Sequence, residues 1–229
     1  MQGLLLALAI GATASASSPP AKFPEFDWNQ GTVSVVLATS TPGDWLPEPP
    51  ESDECKKPNI VCWSLHSPMW FRIRVLQLVY GQAPTERLVV STMTHYGQPE
   101  VDDERAPRLL LLISHQGQTV MPLYSYEQAW RRSDGKYYLL LDSDAAVAWL
   151  PCDAYELREP IDDRMFDEAV RRPLDDYMVE TQPQMYTNRG PYVAPRYGIS
   201  VERLSDFLRV RQPSLKQLRC EQPKAQAER

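Results

Sequence analysis

Between residues 70 and 141, short apolar and β-branched segments alternate with turn residues, and this pattern constrains the fold more than any other feature. Within Trp70–Tyr80, Phe71 and Ile73 fall on one side of an extended chain and two arginines on the other. Segments of this kind with short connections predict antiparallel strands that close, or half-close, into a barrel.

Six segments are predicted strands: Gly31–Thr41, Trp70–Tyr80, Arg87–His95, Arg108–His115, Thr119–Tyr124 and Lys136–Leu141. Arg108–His115 holds a continuous apolar run, which predicts a buried strand. A short helical piece is expected at Ser125–Arg132, between the last two strands.

The C-terminal part changes character. Ile161–Arg172 is predicted to be a helix with Asp162 as its N-cap, and Ser200–Arg211 a second helix capped by Ser200. A short helix is expected at Ser214–Cys220, whereas the proline- and glycine-containing stretch Met178–Tyr197 predicts an irregular loop. The expected fold class is therefore α+β, an antiparallel OB-like β-barrel with a helical C-terminal extension.

Composition divides the chain into four parts. They are a leader (1–16), a proline-rich acidic segment with one strand (17–69), the barrel core (70–150) and the helical extension (151–229). Within the extension, residues 153–180 carry 10 acidic and 4 basic side chains, whereas residues 186–219 carry 7 basic and 2 acidic ones. We expect these two segments to contact each other, and the alternative is a basic surface for an anionic partner.

Residues 1–16 have the pattern of a cleaved signal peptide. An apolar core, Leu4–Ile10, is followed by Ala14-Ser15-Ala16, which matches a cleavage site, although Met1-Gln2-Gly3 lacks a basic residue. We therefore expect a periplasmic or secreted protein. An uncleaved or misassigned start remains the alternative.

Four cysteines, Cys55, Cys62, Cys152 and Cys220, follow the leader, and an even number in an exported chain predicts disulfides. Of the three possible pairings, Cys55–Cys62 with Cys152–Cys220 is favoured, because it closes one short polar loop and ties the C-terminal segment to the domain. A zinc site of Cys55, Cys62 and His66 is the alternative, but its spacing matches no common zinc pattern. No metal or cofactor is expected.

Charge and hydropathy exclude two classes of protein. With 24 basic and 30 acidic residues the net charge is −6, so we expect no nucleic-acid partner. No apolar run reaches the roughly 18–20 residues that a membrane-spanning helix needs, so we expect no membrane span.

Residues 70–124 resemble the netrin-like, TIMP-like OB-fold pattern of small exported proteins. The similarity lies in an apolar strand that ends at Tyr80-Gly81, in Leu88-Val89-Val90, in Arg108–Leu112 and in the turn at Gly117. The resemblance implies an exported binding scaffold. It does not extend to metalloprotease inhibition, which in that class needs a cysteine at the mature N-terminus, whereas the first cysteine here is Cys55.

The sequence offers little catalytic chemistry. It has no G-x-S-x-G motif, and no histidine lies in a catalytic motif. Asp142 and Asp144 follow a predicted strand and would present two carboxylates on one side, as a hydrolase of envelope polysaccharide requires. The same triplet is ordinary turn chemistry, so the hydrolase is the alternative function.

Aromatic side chains are the candidates for binding. One group lies around a predicted hairpin and consists of Tyr124, Tyr126 and Trp130. The other lies in the predicted loop and combines Tyr186 and Tyr192 with Arg196. Such side chains stack on sugars and fill protein interfaces. The sequence therefore predicts an exported, non-enzymatic protein that binds a protein or glycan of the cell envelope.

Overall fold

The computed structural model describes residues 18–48, 66–82, 85–95, 106–123, 125–141, 150–166, 172–173, 186–188, 191–215 and 217–218. The leader, Asp142, Asp144 and three of the four cysteines lie outside these residues. Cys152 begins a 3-10 helix, and the disulfide pairing stays a prediction.

Five strands close into a barrel: β1 (Thr32–Trp45), β2 (His66–Gly81), β3 (Arg87–His95), β4 (Arg108–His115) and β5 (Gln118–Met121). Their order is β1-β2-β3-β5-β4, and β1 also pairs with β4, which completes the ring. The pairings are antiparallel except for the parallel pair β3 and β5. The predicted OB-like barrel is confirmed, with this one parallel pairing as an addition.

Seven shorter strands follow: β6 (Tyr126–Arg131), β7 (Tyr137–Leu140), β8 (Glu159–Pro160), β9 (Arg172–Pro173), β10 (Tyr186–Asn188), β11 (Tyr192–Pro195) and β12 (Tyr197–Ser200). The sheet continues from β4 through β6, β7, β12 and β8, while β9, β10 and β11 form a separate small sheet. One-turn or two-turn 3-10 helices span Trp28–Gln30, Cys152–Leu157 and Asp163–Met165.

In the described part of the C-terminal extension, the α-helix is α1 (Val201–Arg211), at the predicted place. The Ser200 hydroxyl accepts a hydrogen bond from the Arg203 backbone N–H at 3.2 Å, which confirms the predicted N-cap. Leu204 and Leu208 are buried against the sheet. In the part of the chain that the structure describes, no helix has the length and apolar character needed to cross a bilayer.

The apolar run of β4 is explained by two cores. Leu110 and Leu112 point into the barrel, where they pack in one cluster with Phe71. Leu109 and Leu111 point outward into a second core, which we call the outer core. It is completed by Leu204 of α1 and by the inner faces of β6, β7 and β12. The predicted buried strand is confirmed, and the structure shows that both of its faces are buried.

Two predicted helices are wrong in the described residues. Tyr126–Arg131 forms β6, because β4 on one edge and β7 on the other take up its backbone hydrogen bonds. In the described part of the predicted helix Ile161–Arg172, Asp162 caps the 3-10 turn Asp163–Met165, and Phe166 is extended and packs edge-on against Tyr138 at 5.6 Å. Residues 167–171 of this prediction lie outside the described residues.

The predicted irregular loop and the last predicted helix also differ from the structure. Within Met178–Tyr197, Tyr186–Asn188 and Tyr192–Pro195 pair as β10 and β11. The described part of Ser214–Cys220 forms a hydrogen-bonded turn, in which the Leu218 N–H donates to the Ser214 carbonyl at 3.1 Å. Local pattern missed these pairings because the partner strands are distant or short.

The acidic and basic C-terminal segments contact each other, as expected. Arg203 of α1 forms an ion pair with Glu159 of β8 at 2.9 Å, and Arg211 forms one with Asp153. All four side chains are partly exposed, so each pair contributes only about 0.2–1 kcal/mol.

Burial of β4 on both faces predicts an unusual mutational pattern. Leu111→Ala and Leu112→Ala should each lower the free energy of unfolding by about 2–5 kcal/mol, because each leaves a cavity in a different core. Urea denaturation measures both values. In β2, the same scan should alternate, with a large loss for Ile73→Ala and a small one for Arg72→Ala. A loss below about 1 kcal/mol for either leucine would contradict two-sided burial.

Candidate binding site

The aromatic residues singled out in the sequence do not form one surface. Tyr126 is half-buried against the barrel core, and the Arg108 guanidinium lies 5.7 Å from the centre of its ring. Trp130 of β6 packs beside Tyr138 of β7. Tyr186 is only 3% exposed and belongs to the outer core.

The remaining predicted residues lie near Tyr186. Tyr192 is 47% exposed, and the Arg196 Nε donates a hydrogen bond to the Tyr186 carbonyl. Tyr124 lies outside the described residues. The structure thus leaves Tyr192 as an exposed ring and uses Tyr186 for packing.

A different group of side chains does form a continuous surface, on the outside of the barrel. We call it the arginine face, and it consists of Trp70, Arg72 and Arg74 of β2 and Arg87 of β3. Phe71 and Ile73 between them point into the barrel core, so strand alternation turns these four side chains outward. The three arginines are exposed.

Strand register brings the arginines together. Arg74 lies directly opposite Arg87, and Arg72 lies opposite Val89. Like charges directly opposite each other destabilise an antiparallel pair. No ion pair or side-chain hydrogen bond links any of the three guanidinium groups to another residue in the described ranges. The face is therefore a local positive surface on an acidic protein.

Trp70 holds one of these arginines in place. The Arg72 guanidinium lies 4.7 Å from the centre of the Trp70 ring, in a cation–π contact. The Trp70 residue also lies close to Gly43 of β1. A Cβ atom added to Gly43 would overlap the Trp70 carbonyl and the edge of its ring. A stacked guanidinium keeps its N–H donors in its own plane, where they are free for a ligand.

A pocket of about 170 Å³ adjoins the arginine face. Its lining comes from the N-terminal segment, β3 and the turn between β4 and β5: Ser18, Pro20, Pro24, Val89, Ser91, Gly117, Gln118 and Thr119. Val89 and Ser91 are the cross-strand partners of Arg72 and Trp70, so the pocket and the face are neighbours. Ser91 is 2% exposed and forms part of the pocket lining.

The N-terminal segment that forms one wall is anchored to the barrel. The Phe26 ring contacts His115 at the end of β4, with ring centres 5.4 Å apart. The Asp27 carboxylate caps the 3-10 helix by accepting hydrogen bonds from Asn29, which lowers the pKa of Asp27. Both contacts fix the entry of the chain into β1.

A second charged cluster lies on the opposite face of β7 from the outer core. The Arg132 guanidinium stacks on Tyr138 at 4.8 Å and pairs with Asp134, and Glu159 pairs with Arg203. Burial, together with a hydrogen bond to Glu159, raises the pKa of Tyr138. Because the charges in this cluster have partners, its role is structural.

Across the described ranges, no cluster of three or more histidine, cysteine, aspartate or glutamate side chains is placed to hold a metal ion. The zinc alternative depends on Cys55 and Cys62, which lie outside those ranges.

Sequence reasoning used Arg72 and Arg74 only as markers of strand alternation. The sequence around Arg87 did not indicate that it belongs to this face, because its position opposite Arg74 follows from the β2–β3 register. The outward arginines of Trp70–Tyr80 were the feature from which this face was recognisable.

The Arg132–Asp134 pair generates a pH prediction. A hydrogen bond from Arg132 lowers the pKa of Asp134 from 3.8 to about 2. Because the folded-state pKa is depressed, the stability that this carboxylate provides is complete above pH 3.8 and is lost as the pH falls towards 2. Arg132→Gln should return the pKa of Asp134 towards 3.8, as an NMR titration of the carboxyl carbon would record. Arg131→Gln is the control, and an equal rise there would refute the assignment.

Comparisons with protein-family models, with curated proteins and with solved structures find no match to this chain. The resemblance of residues 70–124 to netrin-like proteins therefore stays a prediction.

Proposed function

We propose that this chain is an exported, non-enzymatic protein that binds a protein or glycan of the cell envelope through the arginine face and the adjoining pocket. The observation that carries the proposal is a set of three exposed arginines without ion-pair partners in the described ranges, beside a pocket lined by both apolar and polar side chains.

The position of this surface on the barrel supports the proposal. OB-type barrels bind oligonucleotides and oligosaccharides on the face formed by their second and third strands. The arginine face occupies β2 and β3 of this barrel. Cations that repel one another cost folding free energy, and an anionic ligand removes that repulsion.

Export is supported by the leader and by the even number of cysteines. The alternative function, a carboxylate-dependent hydrolase, depends on Asp142 and Asp144, which lie outside the described residues. No further observation favours it.

The export part of the proposal is tested by intact mass. Expressed from its full-length gene, the protein should be recovered from the exported fraction without residues 1–16, and its four cysteines should resist alkylation until they are reduced. Mass spectrometry before and after reduction measures both features. A full-length mass with four reactive thiols would refute export.

The binding part is tested by filling the pocket. Val89→Trp places an indole into a space of about 170 Å³, so it should weaken co-sedimentation with the envelope fraction of the exporting cells by about tenfold or more. Val210→Trp is the matched control, because Val210 is 88% exposed on α1. Thermal unfolding of both variants checks folding. Equal binding by wild type and a folded Val89→Trp variant would contradict a ligand at this surface.

A further inference from the structure

We infer that the ligand of the arginine face is an acidic polysaccharide whose sugar rings carry carboxylates. This inference rests on the proposed binding function and names the class of ligand for the same surface.

The charges on the face suit a chain of regularly spaced anions. Arg72 and Arg74 are two residues apart on β2, a separation of about 6–7 Å along a strand. Arg87 lies opposite Arg74, with Cβ atoms about 5 Å apart. Within the described strand segments between Thr39 and Thr41, Trp70 and Arg74, and Arg87 and Ser91, no acidic side chain takes an outward position. The exposed carboxylates of Asp44 and Glu86 lie just beyond the ends of these segments. An anionic polymer that crosses the face therefore meets several cations in succession.

The chemistry of the cations favours carboxylates. A guanidinium presents two parallel N–H donors that match the two oxygens of a carboxylate. For Arg72, stacking on Trp70 restricts the side chain before a ligand arrives, which reduces the entropy lost on binding.

The pocket favours a sugar. Pro20, Pro24 and Val89 give it apolar walls, while Ser91, Gln118 and Thr119 contribute hydroxyl and amide groups. A sugar ring has the same combination of an apolar ring face and peripheral hydroxyls. Sugar hydroxyls can form hydrogen bonds with the Ser91 and Gln118 side chains of this lining, and a purely ionic ligand has no such groups.

Single-stranded nucleic acid fits this face less well. Proteins that bind it stack successive bases on exposed aromatic faces. The aromatic ring of the arginine face, Trp70, has Arg72 over one side and lies on β1 at Gly43. Arg72 would therefore compete with a base for this ring.

The test uses the processed full-length protein and isothermal titration calorimetry at low salt. The probe is an oligogalacturonate, and its methyl ester is the matched uncharged ligand. We expect the acid to bind and the ester not to bind, and Arg72→Gln or Arg74→Gln to weaken binding by about tenfold or more. Arg209→Gln on α1 is the control, because Arg209 is also exposed and lies outside the face. Ser91→Ala should weaken binding of the sugar without changing its salt dependence.

The outcomes separate this inference from the proposed function. Equal binding of acid and ester, no effect of Arg72→Gln, or tighter binding of oligothymidylate or a polyglutamate peptide would overturn the acidic polysaccharide. So would failure of the oligogalacturonate to bind while Val89→Trp still abolishes binding to envelope material. In each of these cases the binding function itself stands. It falls only if Val89→Trp leaves envelope binding unchanged.

Discussion

Closure of the barrel through the β1–β4 pairing is the constraint on which the rest of the structure depends. Seven residues of β1, from Thr32 to Ala38, pair with β4 while the other edge of β1 pairs with β2. This places two very apolar strands side by side, with side chains on both faces. The barrel can bury only one of those faces, so a second layer of β6, β7, β12 and α1 must cover the other.

The same closure decides which surface stays open. In β2, register shifts opposite Val35/Val36 and Leu37/Ala38 break the strict alternation, and Val79 turns towards the outer core, where its carbonyl accepts a hydrogen bond from Ser205 of α1. The first half of β2 is not covered by α1. Its outward residues, from Trp70 to Arg74, therefore meet solvent and the short N-terminal segment beside β3.

Sequence periodicity predicted the barrel because side-chain alternation is a local property of a strand. The bounds of β3 and β4, and the cap of α1 at Ser200, follow from residues within each element. The Tyr126–Arg131 strand was missed because its partners, not its own pattern, stabilise the extended backbone. For the same reason, Tyr186 was expected at a surface but lies in the core. The contribution of Arg87 to the arginine face likewise depends on the strand register, which places it opposite Arg74.

Stability and binding make opposite demands on the arginine face. In the free protein, the repulsion between Arg74 and Arg87 opposes folding, and salt weakens that repulsion. Salt also weakens the attraction between the face and an anionic ligand. Added salt therefore stabilises the unliganded barrel while it lowers affinity, whereas the ligand stabilises the fold by binding only its native state. This coupling gives a physical reason for three arginines on one solvent-facing sheet of a protein whose net charge is −6.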